Sequence, residues 1–387
     1  MKIALVHDYL TQLGGGERVL AALGEMFPEA PIFALIYNEK ATNGAFKNRK
    51  IHTSFLQKIP GAQKYFRALI WLMPLAIEQF DFSDFDFVIS VSHSYGKGII
   101  TKPGAKHICY CLTPTRYLWF TPTLMHELWG HSAAITLLKP FLYPLLTYLR
   151  TWDFQASQRP DYFIADSENV RQRIKKYYKR ESEVIYPPVD VEKFRIFDRN
   201  NSGGRIRIAE GRSPEARYSD AYFLMVGRMV PYKRFDIAID AFAKMPEEKL
   251  LIIGDGPERN KSELKSDKLG ANNIKFLKRV SGSELVKHYA DCKALIFPQE
   301  EDFGITAVEA MASGRPVIAY RAGGALETVK EGETGLFFNE QTADSLSEAV
   351  QKFNDKKFNP EKIRGRAQDF DREIFINKIH KFIERLT

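Results

Sequence analysis

The chain has 387 residues, 44% of them apolar, and 56 lysines and arginines against 48 acids, for a formal net charge of +8. That supplies cores for two to three domains, and the absence of any run of eighteen clean apolar residues excludes an obvious membrane-spanning helix. Three cysteines, Cys109, Cys111 and Cys292, share no disulfide or zinc spacing, so a reducing cytoplasm is the expected compartment. The basic balance favours anionic partners, whether phosphates, nucleic acid or an acidic membrane surface.

The N-terminus is too short and too soon polar for a signal peptide. Strands are predicted at Ile3–Val6, Phe33–Ile36, Phe87–Val91, Lys106–Tyr110, Tyr162–Ala165 and Glu183–Tyr186, with helical patterns between several of them. This β/α alternation predicts a parallel sheet covered on both faces. Between the first strand and a helix through Leu20 and Leu23 come His7-Asp8-Tyr9 and Gly14-Gly15-Gly16. Glycine lets a backbone approach a ligand and a helix N-terminus favours an anion; the alternative is a plain tight turn. The run is not G-x-G-x-x-G, which argues against a dehydrogenase. Two apolar stretches with basic edges follow, Lys64–Phe80 and Leu137–Trp152, which Pro74, Pro140 and Pro144 are expected to interrupt. Each either packs on the sheet or lies along an anionic membrane surface. The basic run Arg171–Arg180 reads as a solvated helix face; no nucleic-acid-binding module surrounds it, so nucleic acid is not an expected partner. Pro187-Pro188 closes this half.

Asn200-Asn201-Ser202-Gly203-Gly204 and the polar stretch to Asp220 read as a linker or inserted loop. The pattern then restarts, with strands predicted at Tyr222–Val226, Lys249–Ile253, Ile274–Leu277, Ala294–Phe297, Val317–Ala319 and Gly335–Phe337. The loop Gly227–Arg234 carries Arg228 and Lys233. Arg grips a diphosphate bidentately and Lys adds a point charge. Gly254-Asp255-Gly256-Pro257 reads as a turn with a helix N-cap, or as a ligand-facing turn. The most informative stretch is Leu295–Gly324. Pro298 ends a strand, acids follow, and Phe303-Gly304-Ile305-Thr306 forms a tight turn into a helix over Ala307–Ser313, which Gly314 and Pro316 stop. Such a turn aims backbone N–H groups at the open end of a sheet, where a diphosphate is held. Glu301 and Glu309 flank it, and the hydroxyls of a nucleotide sugar need such acceptors. The ordinary reading of either acid alone is a solvated helix-end carboxylate. Arg372–Leu386 is amphipathic.

The ordered constellation of strand, Pro298, Glu301, the Phe303-Gly304 turn, Glu309, Gly314-Arg315-Pro316-Val317 and Gly323-Gly324 resembles the retaining glycosyltransferases of family 4. Gly227–Lys233 matches that family's G-R-x-x-P-x-K pattern. The resemblance implies an α/β GT-B fold, two Rossmann-like domains whose parallel sheets face a central cleft. It implies an acceptor domain over 1–190, a linker over 191–220, a nucleotide-sugar domain over 221–370, and a final helix over 371–387 that crosses back to the first domain. It implies donor contacts from Gly15, Gly16, Gly227, Arg228, Lys233, Gly254, Val280, Glu301, Phe303, Gly304, Ile305 and Glu309, with Ser281 nearby. Arg116, Tyr117 and Trp119 would line the acceptor cleft, with core packing the alternative for the aromatics. Related enzymes usually carry His, in contact with the donor sugar, where this chain has Leu112, so that contact does not carry over. His107 is expected to be structural.

Cys109-Tyr110, Thr113-Pro114, Arg116–Trp119, Arg173–Tyr178, Val184–Asp190 and Val230–Arg234 more closely resemble bacterial enzymes that transfer mannose from GDP-mannose in O-antigen and exopolysaccharide synthesis. The implied acceptor is a saccharide or a polyprenyl-diphosphate-linked saccharide, met in the cytoplasm or peripherally at the inner face of the plasma membrane. The expected reaction displaces a nucleoside diphosphate at the anomeric carbon, with front-side retention. Arg228, Lys233 and helix N-termini stabilise the leaving group, Glu309 accepts from the ribose and Glu301 from the transferred sugar. If those cations suffice, no metal or cofactor is needed, and no Asp-x-Asp pair sits in a suitable loop. A UDP-sugar-dependent transferase, a nucleotide-sugar-binding protein without efficient turnover, and a basic scaffold at the membrane are the alternatives.

Overall fold

The computed structural model describes residues 2–119, 133–194 and 222–386. The expected linker 191–220 lies outside the described residues from position 195 onward. The chain divides into two compact units, Met1–Pro188 with Arg372–Thr387, and Val189–Asp371.

The first unit is built on seven strands: β1 (Ile3–His7), β2 (Ile32–Ala34), β3 (Ile51–Thr53), β4 (Phe87–Ser92), β5 (Lys106–Cys111), β6 (Tyr162–Ala165) and β7 (Glu183–Val184). They pair in the order β3-β2-β1-β4-β5-β6-β7, parallel throughout. A parallel sheet is covered on both faces, so its strands are apolar runs rather than alternations; all of β4 is buried. Successive side chains still feed opposite cores. Leu5 joins one cluster, Ala4 and Val6 the other. The helix Arg372–Glu384 buries Phe375, Ile379, Phe382 and Ile383, a single stripe, into the cluster that also holds Leu5 and Tyr110.

One strand of this unit has no sequence signal, and one sequence expectation fails. Strand β3 was not anticipated: Ile51-His52-Thr53 is an edge strand whose three residues are all half-buried, so it lacks the apolar run that marks the inner strands. Pro140 and Pro144 do not interrupt their stretch, because Ala133–Ala156 is one helix of 24 residues. Each proline removes one intrahelical donor, and this helix continues through both losses. Pro74 sits in the first turn of the helix Met73–Glu78, where its missing N–H costs nothing. No helix among the described residues is long and apolar enough to cross a membrane.

The second unit has six parallel strands, β8 (Phe223–Val226), β9 (Leu250–Ile253), β10 (Ile274–Leu277), β11 (Leu295–Phe297), β12 (Val317–Tyr320) and β13 (Gly335–Phe338), ordered β10-β9-β8-β11-β12-β13. Val189–Phe194 belongs to it as well. Val189 bridges Asp371, and the Arg364 guanidinium donates to the carbonyls of Phe194 and, at 2.6 Å, Ala312.

In each sheet the strand order reverses beside one strand, β1 between β2 and β4, and β8 between β9 and β11. Ligands of open α/β sheets bind beyond the carboxyl ends of the strands at such a switch point. His7-Asp8 and Ser92-His93 lie at the first. Gly227-Arg228 and Pro298–Glu301 lie at the second.

Candidate active site

At the switch point of the second unit, three loops converge. The loop after β8 turns through the short 3-10 segment Pro231–Lys233, and the Lys233 ammonium donates to the carboxylate of Glu301. The two side chains are only 14% and 15% exposed. Arg228 lies on the same loop, exposed to solvent. Gln341 ties the β8 loop to the end of β11. Its amide donates to the Pro298 carbonyl at 2.8 Å and accepts from Arg234 at 3.2 Å.

The turn after β11 requires a glycine. Gly304 caps the helix Ile305–Ala312 with φ +94°, and a Cβ there would stand 2.8 Å from the Phe297 ring. Phe303 is buried, its ring edge-on to Phe370 at 5.4 Å. Gly324, from the loop after β12, donates its N–H to the Glu301 carbonyl at 2.9 Å, which fixes the backbone that carries Glu301. The first free N–H groups of the helix Ile305–Ala312 therefore lie in the turn that carries Glu301, an arrangement that suits an anion. Glu309, four residues into that helix, is 2% exposed and accepts from the Tyr289 hydroxyl at 2.8 Å.

Gly227 and Gly254 lie against each other where β8 and β9 end, and the Met229 N–H donates to the Asp255 carbonyl at 2.9 Å. Gly227, Arg228, Lys233, Gly254, Glu301, Phe303, Gly304, Ile305 and Glu309 thus share the carboxyl end of one sheet. Val280, half-buried, precedes Ser281, which caps the helix Gly282–Asp291 in a reciprocal box with Glu284.

The expected residues of the first unit follow the carboxyl ends of β1 and β5. Gly15 opens the helix Gly15–Met26, and the Gly14 N–H donates to Glu17 at 2.8 Å. A Cβ on Gly16 would meet Leu112 Cδ1 at 2.5 Å and His7 Nε2 at 3.4 Å, so Leu112 occupies the space against this loop. The aromatic side chains of the expected acceptor segment have their polar tips engaged internally. Tyr117 donates to the Tyr95 hydroxyl at 2.6 Å, and Trp119 donates to Asp153 at 2.7 Å while stacking on Tyr177. Arg116 begins the same short helix. Asp153 also takes Lys97 at 2.6 Å, Thr115 at 2.6 Å and Tyr178 at 2.9 Å. This buried network fixes the base of the segment. His107 is buried and meets Ser90 at 2.8 Å; burial, with Arg159 and Arg180 nearby, pushes it down to about 3, so it is a neutral structural group.

One cluster escaped sequence reasoning. The fully buried Asp8 carboxylate accepts from the backbone N–H groups of His93 (2.7 Å), Ser94 (3.0 Å), Tyr95 (2.7 Å) and Gly96, and from His93 Nδ1 at 2.7 Å. Burial opposes its charge, yet His93 holds its carboxyl well below the usual carboxylate range. His93 is raised in turn: burial works against its charge, and Tyr9 and Asp8 outweigh it. The only sequence signal was position, since both segments follow predicted central strands. Tyr289 was also missed, as nothing local to it marks it. Among the described residues no group of three or more His, Cys, Asp or Glu side chains could hold a metal ion.

Residues 13–193 match the family model described as Glycosyltransferase Family 4, and residues 209–370 match the one described as Glycosyl transferases group 1. Among curated proteins, a glycosyltransferase of Methanocaldococcus jannaschii, named as uncharacterized, is 35% identical over 157 residues, 40% of this chain and 44% of that one. The D-inositol 3-phosphate glycosyltransferase of Mycobacterium marinum is 33% identical over 178 residues, 43% of this chain and 36% of that one. The matched regions thus span less than half the length of these relatives. Among solved structures, Anabaena HepE in complex with UDP aligns over 100% of both chains with a TM-score of 0.70 and 18% identity. The lipopolysaccharide outer core galactosyltransferase WaaB aligns over 100% of both with a TM-score of 0.66 and 20% identity. These neighbours establish the two-domain α/β GT-B fold. The first half of the chain is thus similar to the Family 4 glycosyltransferase model and the second half to the group 1 glycosyltransferase model.

Proposed function

We propose that the protein is a retaining, metal-independent hexosyltransferase that moves mannose from GDP-mannose to a saccharide or lipid-linked saccharide in cell-envelope polysaccharide synthesis. The observation that carries the reading is the meeting of Lys233 with Glu301 beside the Gly304 turn at the end of β11. A cation, a helix N-terminus and a carboxylate stand together, as a diphosphate bonded to a sugar requires. Arg228 and Lys233 neutralise the leaving diphosphate, Glu301 accepts from hydroxyls of the transferred sugar, and Glu309 accepts from the ribose. The bond from the anomeric carbon to the phosphate oxygen breaks. The acceptor oxygen bonds on the same face, and its proton passes to the departing phosphate.

A UDP-sugar is the alternative donor, since the HepE neighbour of the same fold was solved with UDP. Tyr65, Trp71 and Leu75 are 61%, 53% and 50% exposed and the Lys64 ammonium lies over the Tyr65 ring, which supports peripheral contact with the anionic inner leaflet where a polyprenyl-diphosphate carrier would be met. Incubation with a panel of nucleotide sugars and a cell-envelope lipid extract, read by mass spectrometry, tests the reading. A product heavier by one hexose with GDP-mannose supports it. Transfer from UDP-sugars alone selects the alternative donor, and no transfer from any donor leaves a binding protein.

A further inference from the structure

We infer that Tyr289 is a positioning residue for Glu309 and thereby sets the site's preference for a nucleotide with an intact ribose diol; the inference rests on the donor-site reading above. Tyr289 is fully buried on the helix Gly282–Asp291, and its hydroxyl donates to Glu309 Oε2 at 2.8 Å. Its ring meets the Phe194 ring edge-on at 5.7 Å.

The two helices are tied at a second point. Arg315 follows the helix of Glu309, its N–H bonds the Ala310 carbonyl at 2.9 Å, and its guanidinium donates to the carbonyl of Ala290, the neighbour of Tyr289. The start of the helix that carries Tyr289 is fixed by the Ser281–Glu284 box. The phenol is thus held by the Phe194 ring and Glu309, on a helix anchored at its start and beside Tyr289.

A glutamate has three side-chain torsions, and a buried carboxylate turns toward whichever donors are nearest. A phenol fixed at one oxygen sets the plane of the carboxylate, and with it the direction in which the remaining lone pairs accept. Two vicinal hydroxyls can be read only by an acceptor pair held in one orientation. Hydrogen bonds to an ionised carboxylate are roughly twice as strong as neutral ones and equally directional. Tyr289 therefore acts on the diol through Glu309 and touches no substrate itself.

The test is Tyr289→Phe, which keeps the ring against Phe194 and removes only the hydroxyl. Calorimetry would compare GDP with 2′-deoxy-GDP and 3′-deoxy-GDP on wild type and variant, with the uridine series run alongside. The wild type should prefer the ribonucleotide. The variant should lose about tenfold on GDP and little on the deoxy forms, so that the preference collapses. A merely structural role would weaken all three by one factor, and that result, or an undiminished GDP affinity, overturns the inference. A second arm guards against misfolding: Tyr289→Phe added to Glu309→Ala should cost no further affinity, whereas additive losses would separate the two residues. A wild type that binds no nucleoside diphosphate defeats the donor-site reading itself. One that binds without distinguishing the deoxy forms defeats only the inference.

Discussion

Replacing Glu301 by Gln should tighten binding of a free nucleoside diphosphate while nearly abolishing sugar transfer. The ammonium of Lys233 is engaged with Glu301, and at 14% and 15% exposure solvent screens the pair only weakly. At an effective dielectric of about 20, unit charges 4 Å apart attract by about 4 kcal/mol. The desolvation of both groups offsets most of that, leaving on the order of 1–2 kcal/mol for a diphosphate to overcome when it competes for Lys233 and meets the negative charge of Glu301. Removing the charge should therefore raise affinity for GDP or UDP roughly tenfold. Turnover should fall about a hundredfold or more, because the hydroxyls of the transferred sugar lose an ionised acceptor. Calorimetry with the free nucleotide and product formation with the nucleotide sugar read the two effects separately. A folded Glu301→Gln protein that binds the nucleoside diphosphate more weakly than wild type would refute the competition argument.

Four further outcomes are expected. Arg228→Ala and Lys233→Ala should each lower turnover by about a hundredfold with little change in melting temperature; activity that survives in both, or vanishes with EDTA, would point to a metal-assisted route. Gly324→Ala would bring a Cβ within 2.4 Å of the Phe303 backbone and 2.6 Å of the Asp302 carbonyl, so the turn must shift and donor affinity should drop at least about tenfold, by calorimetry, with the circular dichroism spectrum kept. Lys97→Met would leave Asp153 as a buried carboxylate without its cation and should destabilise the fold by about 3–5 kcal/mol in urea titrations; a cost near zero would contradict the network. His107, pushed down to about 3, takes its proton only in the unfolded chain between that value and the ordinary 6.5. Its stabilising contribution is complete above pH 6.5 and lost as pH falls, at about 1.4 kcal/mol per unit, or about 2–3 kcal/mol by pH 4.5. His7, also lowered by burial, adds in the same direction, while His93 is protonated in both states over that window. Stability that stays flat from pH 6.5 to 4.5 would contradict this.

The inner strands were legible because a strand buried on both faces is a short apolar run bounded by turn residues, as in Leu250–Ile253 or Leu295–Phe297. Edge strand β3 carries no such run, and the helix Ala133–Ala156 continues where proline ordinarily argues for a break. The cradle around Gly304 was legible because its glycines, acid and helix start are contiguous in the chain. What stayed hidden were pairings across long separations. Asp8 meets His93 only because β1 lies beside β4, and Lys97 meets Asp153 across 56 residues. Lys233 and Glu301, 68 apart, were each identifiable, but their mutual engagement depends on β8 lying beside β11. Tyr289 gave no signal, since a buried tyrosine on an amphipathic helix is ordinarily core.

The most direct test of a donor site at the carboxyl end of β8 and β11 is calorimetric titration of the wild type and Glu309→Ala with GDP-mannose, GDP and UDP-glucose. Saturable binding of a nucleotide sugar by the wild type is predicted, weakened in the variant by about 1–3 kcal/mol through loss of the buried acceptor. No binding by the wild type, or equal affinity in a folded variant, would contradict it.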